Sequence, residues 1–409
     1  MVKHIMNRFD TLLPLREAVE IFDATQWNLP GCETLNIEYS SGKISTSSVY
    51  SNVNIPGENK AAMDGYAVKY MDTLNASDHN PAKLELTGVN MAGGYAGNPL
   101  EYGQCREIYT GSIMPEGADA VIKVENCEQS GNYIYVYSPV SSGENMASTG
   151  EDIAVGSMIL HRKSIVRPQH ISAARAAGIE NINVYRNISI GIVNTGRELV
   201  TGQINNSTGS LLMSFYRNSF MDTIDGGIAD DDIDSIREKI INLRDRCNII
   251  IVTGGSSLGR KDLTTDALSG LGKMLFSGVA IKPGRTIAVF NMNNIPVLSV
   301  SGLPVAALLS SLIFISRYIH NAFGLEFIEK ASAILEERIR NKTGFTTFQV
   351  MDTFPDQREL HTKPLETSAS GKLSSLLRGN SFTVIDENLE GIEKGSRIIV
   401  NVIGDIKWE

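Results

Sequence analysis

The sequence predicts a multidomain protein of the α/β plus β class, with a mainly β N-terminal region, a three-layer α/β domain and a small C-terminal β domain. Three observations lead to this prediction. The 409 residues exceed the roughly 100–200 residues of a typical domain. Short β-type runs dominate both ends of the chain. In the middle, apolar strand patterns alternate with helical patterns, which is typical of a parallel sheet covered by helices on both faces.

The N-terminal region is predicted to span residues 1–178. Runs of β-forming residues at 83–87, 120–125 and 133–137 are separated by breaks rich in Asn, Gly and Ser. Long helical patterns are few in this region. It is therefore predicted to be mainly β.

Residues 179–325 form the predicted α/β domain. The apolar runs 189–193 and 248–252 are predicted to be buried strands. The remaining predicted elements are a helix over 232–245, a helix from near Asp262, a hairpin of strands 286–290 and 296–300, and a helix over 305–318. Ligands of such sheets bind beyond the carboxyl ends of the strands. The loops after Val193 and Val252 are therefore expected to line a site.

The C-terminal domain is predicted to span residues 326–409. Its pattern returns to short strands, at 346–351, 358–361, 381–385 and 396–402. These strands predict a small, independent β domain.

The overall charge argues against general nucleic-acid binding. The formal net charge is −9 and the sequence pI is about 5.3, whereas nucleic-acid binding needs a basic surface. The N-terminus lacks the apolar stretch of a signal peptide, and the apolar run 305–315 is shorter than the roughly 20 residues that span a bilayer. The four cysteines have no metal-ligand spacing. We expect a cytoplasmic protein that binds no membrane.

The segment TGGSSLGRKD at 253–262 allows three interpretations. Gly255-x-Ser257-x-Gly259 fits the nucleophile turn of serine hydrolases, which would make Ser257 a nucleophile. The spacing of Gly254 and Gly259 approaches a phosphate-binding loop, but Arg260-Lys261-Asp262 follows instead of Lys-Ser/Thr. We favour the third interpretation, a glycine-rich turn whose backbone N–H groups hold an anion.

Carboxylates follow the predicted strands of the α/β domain. Glu198 comes after the first strand and Asp262 after the second, and acidic residues at 230–232 precede a helix. At least one of the latter is expected to stabilise the helix start. Magnesium favours a few carboxylates together with phosphate oxygens, so these residues predict a Mg²⁺ site for a phosphorylated ligand. Lys282 and Arg285 are expected to supply positive charge on the same rim.

Taken in order, the motifs resemble those of the molybdopterin molybdenumtransferase family, the MoeA and gephyrin E-domain type. The matching segments are AMDGYAV at 62–68, TGSIMPEGADAV at 110–121, GEDIAVG at 150–156, TGREL at 195–199, GGSSLGRKD at 254–262, KPGR at 282–285, GLP at 302–304 and SGKLSSLLRGN at 370–380. The pairing of the first two segments is specific. The resemblance covers nearly the whole chain.

The resemblance implies a molybdopterin-binding α/β domain, a β-barrel-like C-terminal domain and a homodimer whose sites combine residues of both subunits. It implies insertion of molybdate into adenylylated molybdopterin with Mg²⁺-dependent release of AMP. The implied catalytic residues are Asp64, Thr110, Asp152, Glu198, Asp231 and Asp262, of which Glu198, Asp231 and Asp262 are the implied metal ligands. The implied cofactor-binding residues are Thr195, Gly196, Gly254, Gly255, Ser256, Lys282, Arg285, Gly302, Pro304 and Ser370.

Several anion-binding positions depart from the family pattern. Met146-Ala147-Ser148-Thr149 stands where the family has arginines, Arg197 replaces an acidic or amide residue, and Asn206-Ser207-Thr208 replaces DSN. The GLPGNP turn reads GLPVAA at 302–307, and a Phe-x-Arg pattern reads Phe348-Gln349-Val350. Lost guanidinium groups remove bidentate recognition of oxyanions.

These departures leave two main hypotheses. The first is a divergent molybdenumtransferase that uses the retained carboxylates, Lys282 and Arg285. The alternative is a non-catalytic paralogue that acts as a binding or scaffold protein and does not bind adenylylated molybdopterin. A serine hydrolase using Ser257 is a third hypothesis, which labelling by a fluorophosphonate would support.

Overall fold

The computed structural model describes residues 12–94, 97–254, 263–365 and 372–407. Within these residues the helices are α1 Leu15–Ala24, α2 Pro168–Ala176, α3 Arg197–Val200, α4 Ser207–Phe215, α5 Ile233–Arg244, α6 Leu263–Ser269, α7 Pro304–Phe323 and α8 Leu373–Arg378. The strands before residue 188 are β1 Cys32–Asn36, β2 Val49–Tyr50, β3 Lys60–Ala61, β4 Gly65–Val68, β5 Ala82–Asn90, β6 Gln104–Ile108, β7 Ala120–Lys123, β8 Cys127–Ser130, β9 Tyr133–Val136, β10 Met146–Ala147, β11 Met158–Leu160 and β12 Asn181–Tyr185. The later strands are β13 Ile188–Thr195, β14 Met221–Ala229, β15 Ile249–Thr253, β16 Lys273–Ser277, β17 Ile281–Lys282, β18 Ala288–Met292, β19 Ile295–Val300, β20 Glu329–Leu335, β21 Ile339–Arg340, β22 Thr346–Asp356, β23 Glu359–Pro364, β24 Ser381–Ile385, β25 Gly391–Ile392 and β26 Arg397–Val402.

The chain divides into two units. Unit 1 contains Met1–Glu33, Gly42–Ile44 and Tyr185–Glu409, and unit 2 contains Thr34–Ser41 and Ser45–Val184. The boundaries predicted after residues 178 and 325 stay a prediction.

Unit 2 is mainly β, as predicted. Its largest sheet has six strands in the order β7-β4-β6-β5-β9-β8. Apolar residues from these strands, among them Val68, Leu84, Ile122 and Ile134, pack into one core. The predicted strand runs of the N-terminal region correspond to β5, β7 and β9. Runs of β-forming residues between turn-rich breaks were therefore enough to locate them.

Unit 1 begins with a six-stranded sheet in the order β14-β13-β15-β19-β18-β16. Strands β14, β13, β15 and β19 pair in parallel. Helices α5 and α6 cover one face, where Ile236, Ile240 and Leu268 pack against strand residues such as Val252 and Phe290. Helices α1, α4 and α7 pack on one another through Phe22–Phe314 and Tyr216–Ser311 contacts, and cover the other face. The predicted three-layer arrangement is confirmed.

The sheet differs from the prediction in being mixed rather than parallel. Strand β18 pairs antiparallel with β19, and β16 pairs antiparallel with β18. Because the hairpin β18–β19 is joined by only two residues, its strands must be antiparallel. The connecting residues are Asn293 and Asn294, both with positive φ. The loop is shorter than the five residues between the predicted strands, because the ladder extends to the pair Met292–Ile295.

Five strands of unit 1 close into a barrel at the C-terminal end of the chain. The ring runs β22-β23-β20-β26-β24 and closes through the pairing of β24 with β22. Leu335, Met351, Ile385 and Val400 fill its interior. Closure leaves no free edge in these strands. The predicted β-barrel-like C-terminal domain is confirmed.

Helix α7 is the most apolar helix that the structure describes. Its 20 residues reach the length and composition of a membrane span, unlike the shorter apolar run recognised in the sequence. However, 72% of that span is buried within the protein, and Leu308, Leu312 and Ile315 are almost inaccessible to solvent. A helix that is apolar on most sides and covered by other elements is a core helix.

Candidate functional site

A cleft of about 880 Å³ opens at the carboxyl ends of strands β13, β15 and β19. Its lining begins where these strands end, at Thr195, Thr253 and Ser301. This is the edge at which parallel α/β sheets bind ligands. Gly196 and Glu198 after Val193, and Gly254 after Val252, line this cleft within the described part of the chain, as the sequence predicted.

The cleft brings together many of the predicted site residues of unit 1. Those that line it are Thr195, Gly196, Glu198, Asp231, Gly254, Arg285, Gly302 and Pro304. Lys282 is not among the lining residues; it lies in β17, where it pairs with Thr347 of the barrel strand β22. The expectation that Lys282 and Arg285 share one rim stays a prediction. Gly255, Ser256, Asp262 and Ser370, together with Ser257 of the hydrolase hypothesis, lie outside the described residues.

Two glycines allow the backbone to pass close to functional atoms in this cleft. Gly254 has φ +104°, and a Cβ there would lie 2.4 Å from the Thr195 hydroxyl oxygen. Gly196 has φ +146°, and a Cβ there would lie 2.8 Å from a carboxylate oxygen of Glu198. Only glycine fits both the dihedral angle and the space. The TG pattern after each strand is thus a steric requirement.

The carboxylates at the cleft are held by the backbone around them. Asp231 accepts a hydrogen bond from the Arg197 N–H at 3.2 Å, which ties the residues after β14 to the start of α3. Asp232 accepts from the Ser235 N–H at 2.8 Å and caps α5. The helix-stabilising role expected for one of the three aspartates therefore belongs to Asp232, while Asp231 faces the cleft beside Glu198.

One wall of the cleft consists of neutral polar residues that the sequence prediction did not assign to the site. They are Asn205, Asn206, Ser207, Thr208, Thr286 and Ser301. Asn206 caps α4 by accepting from the Gly209 N–H at 2.9 Å, and Thr208 donates to the Gly302 carbonyl at 2.6 Å. The run Asn-Ser-Thr before an apolar stretch is a helix-start signal that could have located this wall.

The buried threonine hydroxyls beneath the cleft differ in their hydrogen bonding. The Thr253 hydroxyl donates to Asn194 Oδ1 at 2.8 Å, and the Thr195 hydroxyl donates to the Thr253 carbonyl at 3.1 Å. Thr264 also lines the cleft and is fully buried, yet its hydroxyl has no hydrogen-bond partner within the described part of the chain. Such a group is costly unless something else satisfies it.

The predicted residues of unit 2 include a close pair. Asp64 accepts hydrogen bonds from both the N–H and the hydroxyl of Thr110, each at 2.7 Å. These bonds, the backbone one first, lower the pKa of the Asp64 carboxyl below its ordinary value of 3.8. The carboxylate is thus held ionised and oriented. Asp152 is exposed and its N–H bonds to the Ile55 carbonyl.

The three parts of the chain match three family models. The MoeA N-terminal region (domains I and II) matches residues 13–178. The probable molybdopterin binding domain matches residues 191–321, and the MoeA C-terminal region (domain IV) matches residues 332–403. The chain is a member of the MoeA family. It therefore belongs among the proteins of molybdenum cofactor biosynthesis.

Relatives of this MoeA-family chain match over most of their length. A molybdopterin biosynthesis protein of Methanocaldococcus jannaschii is 29% identical, over 97% of this chain and all of the relative. The molybdopterin molybdenumtransferase of Haemophilus influenzae is 26% identical, over 90% of this chain and 93% of the relative. Two structures of the molybdopterin biosynthesis MoeA protein from Pyrococcus horikoshii align with TM-scores of 0.84 and 0.81 at 26% and 27% identity, over 97% and 96% of this chain and all of the solved chains.

The departures from the MoeA-family pattern are accommodated inside the fold. Val305, Ala306 and Ala307 lie at the buried start of α7, and of these only Ala306 lines the cleft. Val350 stands at the arginine position of the Phe-x-Arg pattern and is fully buried in the barrel strand β22. The altered GLPVAA segment therefore changes the packing behind the turn more than the surface of the cleft.

Proposed function

We propose that the protein is a molybdopterin molybdenumtransferase, which inserts molybdate into adenylylated molybdopterin with Mg²⁺-dependent release of AMP. The observation that carries the proposal is the cleft at the end of the parallel strands. It places eight of the site residues implied by the family on one surface of unit 1. Its volume of about 880 Å³ is within the range of about 300–1,000 Å³ of small-molecule sites.

The residues present fit a magnesium ion. Within the described chain no group of three or more acidic, His or Cys side chains is arranged as a complete metal site. Magnesium does not need one, because it is held by one or two carboxylates together with substrate phosphates and water. Glu198 and Asp231 supply two such carboxylates in the cleft. Bound there, Mg²⁺ would offset the negative charge that develops at the pyrophosphate bond.

The chain's own groups have distinct roles in this proposal. Gly254 lines the cleft with φ +104°, a conformation that backbone anion-binding turns use. Arg285 is the arginine among the described residues that line the cleft. Its guanidinium group is suited to bind a phosphate or another oxyanion. Asp64, fixed by Thr110, is a carboxylate whose ionised state is preserved for a role in catalysis. Asp152 and Asp262 are carried over from the family pattern.

AMP release from adenylylated molybdopterin by the purified protein tests the proposal. AMP is measured by chromatography with Mg²⁺ and molybdate together, and with each omitted. Glu198→Gln and Asp231→Asn are expected to lower the rate at least ~100-fold, because each removes a negative charge from the metal site. The matched control is Glu238→Gln, which neutralises an exposed carboxylate of α5 outside the cleft lining.

The outcomes separate the two main hypotheses. AMP release that requires both Mg²⁺ and molybdate, and that is lost in the two cleft variants alone, supports the enzyme. If adenylylated molybdopterin does not bind, either with or without Mg²⁺, the enzyme hypothesis fails and the non-catalytic paralogue is supported instead. If Glu198→Gln and Asp231→Asn release AMP at the same rate as the control Glu238→Gln, Glu198 and Asp231 do not form the proposed metal site.

A further inference from the structure

The turn from Ser301 to Pro304 crosses the rim of the cleft and is held by two hydroxyl groups. The Ser301 hydroxyl, within the turn, accepts from the Leu303 N–H at 3.2 Å. The Thr208 hydroxyl, 94 residues earlier in the sequence, donates to the Gly302 carbonyl at 2.6 Å. The second bond joins the turn to the start of α4, which lines the same cleft through Thr208.

Thr208 is an immobile donor. It is 6% exposed and lies in the first turn of α4, whose start is capped by the Asn206 side chain. At its other end, α4 is tied to α7 by the buried hydrogen bond between the Tyr216 and Ser311 hydroxyls, 2.8 Å long. The rotamer of a side chain so enclosed is restricted. The position of the hydroxyl is therefore set by α4.

The acceptor, in contrast, belongs to an exposed residue. Gly302 and Leu303 are exposed, so water can hydrate the Gly302 carbonyl when the Thr208 hydroxyl is removed. A bond to a carbonyl that water can replace contributes little to stability. The Thr208–Gly302 hydrogen bond instead fixes the conformation of the turn, which contains Gly302 and passes beside Gly254. Its contribution is therefore conformational.

We propose that Thr208 is a positioning residue that holds the turn at residues 301–304 in the conformation that accepts the pterin ligand. The inference rests on the proposed function of the cleft and identifies how this chain shapes it. Thr208 stands where the family pattern DSN has Asn, and the turn precedes the altered Val305-Ala306-Ala307 segment. The bond thus joins the first departure to the unchanged Gly302-Leu303-Pro304 turn that directly precedes the second.

Thr208→Val tests the proposal, because it keeps the shape of the side chain and removes the donor. Hydrogen exchange of the ligand-free protein is expected to speed up in the peptide that covers residues 299–306 and to stay unchanged elsewhere in the α/β sheet. The affinity for adenylylated molybdopterin in the presence of Mg²⁺ is expected to fall about tenfold, the loss that one hydrogen bond of ordinary strength produces. The melting temperature is expected to stay the same.

Two further variants keep the test specific. Thr208→Ser retains the donor and should restore both the slow exchange and the affinity. Thr383→Val removes a buried hydroxyl that donates to the Ile399 carbonyl of the barrel at 2.9 Å, and should leave the turn and the affinity unchanged.

Failure of this inference and failure of the proposed function give different results. If the wild-type protein does not bind the ligand, the proposed function fails, and the positioning role for that ligand falls with it. If the wild-type protein binds and Thr208→Val exchanges and binds as the wild-type protein does, the function stands and the role of Thr208 is overturned. A lower affinity shared by Thr208→Ser would likewise contradict a role of the hydroxyl.

Discussion

At the residue scale, the cleft shows that burial of a hydroxyl has opposite consequences according to its partner. Thr253 and Thr264 are both almost fully buried beneath it. The Thr253 hydroxyl bonds to the buried Asn194 side chain, whereas the Thr264 hydroxyl has no partner within the described residues. Removing one member of a buried pair leaves the other unsatisfied, whereas removing an unpaired group relieves a cost.

Thr253→Val is therefore expected to destabilise the protein by about 1–3 kcal/mol, because Asn194 Oδ1 loses its donor. Thr264→Val is expected to leave stability unchanged or to raise it by up to about 1 kcal/mol. Urea unfolding, compared through the shift of the midpoint, measures both. An equal loss of stability in the two variants would contradict the difference in hydrogen bonding.

The Asp64–Thr110 pair gives a pH-dependent prediction at the same scale. Because hydrogen bonds lower the pKa of folded Asp64, the pair stabilises the folded state above the unfolded pKa near 3.8, and this contribution is lost as the pH falls through the lower folded value. Thr110→Val removes the hydroxyl but keeps the backbone donor. The pKa of Asp64 should rise and still remain below 3.8, whereas Thr110→Ser should leave it low. Carboxyl ¹³C chemical shifts across a pH titration check this order.

At the element scale, the hairpin of β18 and β19 shows a turn that the sequence could describe only in part. Five residues, Asn-Met-Asn-Asn-Ile at 291–295, separate the predicted strands, but the ladder continues to the pair Met292–Ile295. Asn293 and Asn294 then form the turn, with φ of 52° and 65°. Positive φ at both central residues is the type I′ geometry that suits the twist of a hairpin.

Asn294→Gly is expected to stabilise the protein by a few tenths of a kcal/mol, because glycine adopts positive φ without steric cost. Asn294→Val is expected to cost about 1–2 kcal/mol, since a β-branched residue is strained there. Both hydrogen bonds of Asn294 in this region, to Asn291 Oδ1 and from the Asn28 N–H, use its backbone and are retained. In thermal unfolding, the melting temperature of Asn294→Gly should lie above that of the wild type, and that of Asn294→Val below it.

Edge strand β14 was not predicted at all. Its sequence, MDTIDGGIA, contains two aspartates and two glycines, residues that are rare in strands. It nevertheless pairs in parallel with β13 over most of its length. Tertiary pairing overrode local propensity, and the strand delivers Asp231 to the cleft.

At the scale of the whole molecule, the proposed enzyme is expected to act as an assembly of two chains. The family resemblance implies a homodimer whose sites combine residues of both subunits. We expect light scattering coupled to gel filtration to give twice the 44.5 kDa mass of one chain. The measurement is to be made at the concentration used for AMP release. Full activity in a species with the mass of a single chain would contradict a shared site.

The alternation of strands and helices, the two strand ends followed by Thr-Gly, and the acidic residues near them were determined by the sequence itself. Periodicity and helix-start or turn signals depend on residues a few positions apart, so they can be recognised without the fold. Only the tertiary structure decided which of these residues share a surface. Arg285 lines the cleft, whereas Lys282, three positions earlier, is not among the lining residues and lies in β17, which pairs with the barrel. Thr208 and Gly302 are 94 positions apart and form a hydrogen bond at that cleft, because sheet pairing and helix packing bring distant segments together.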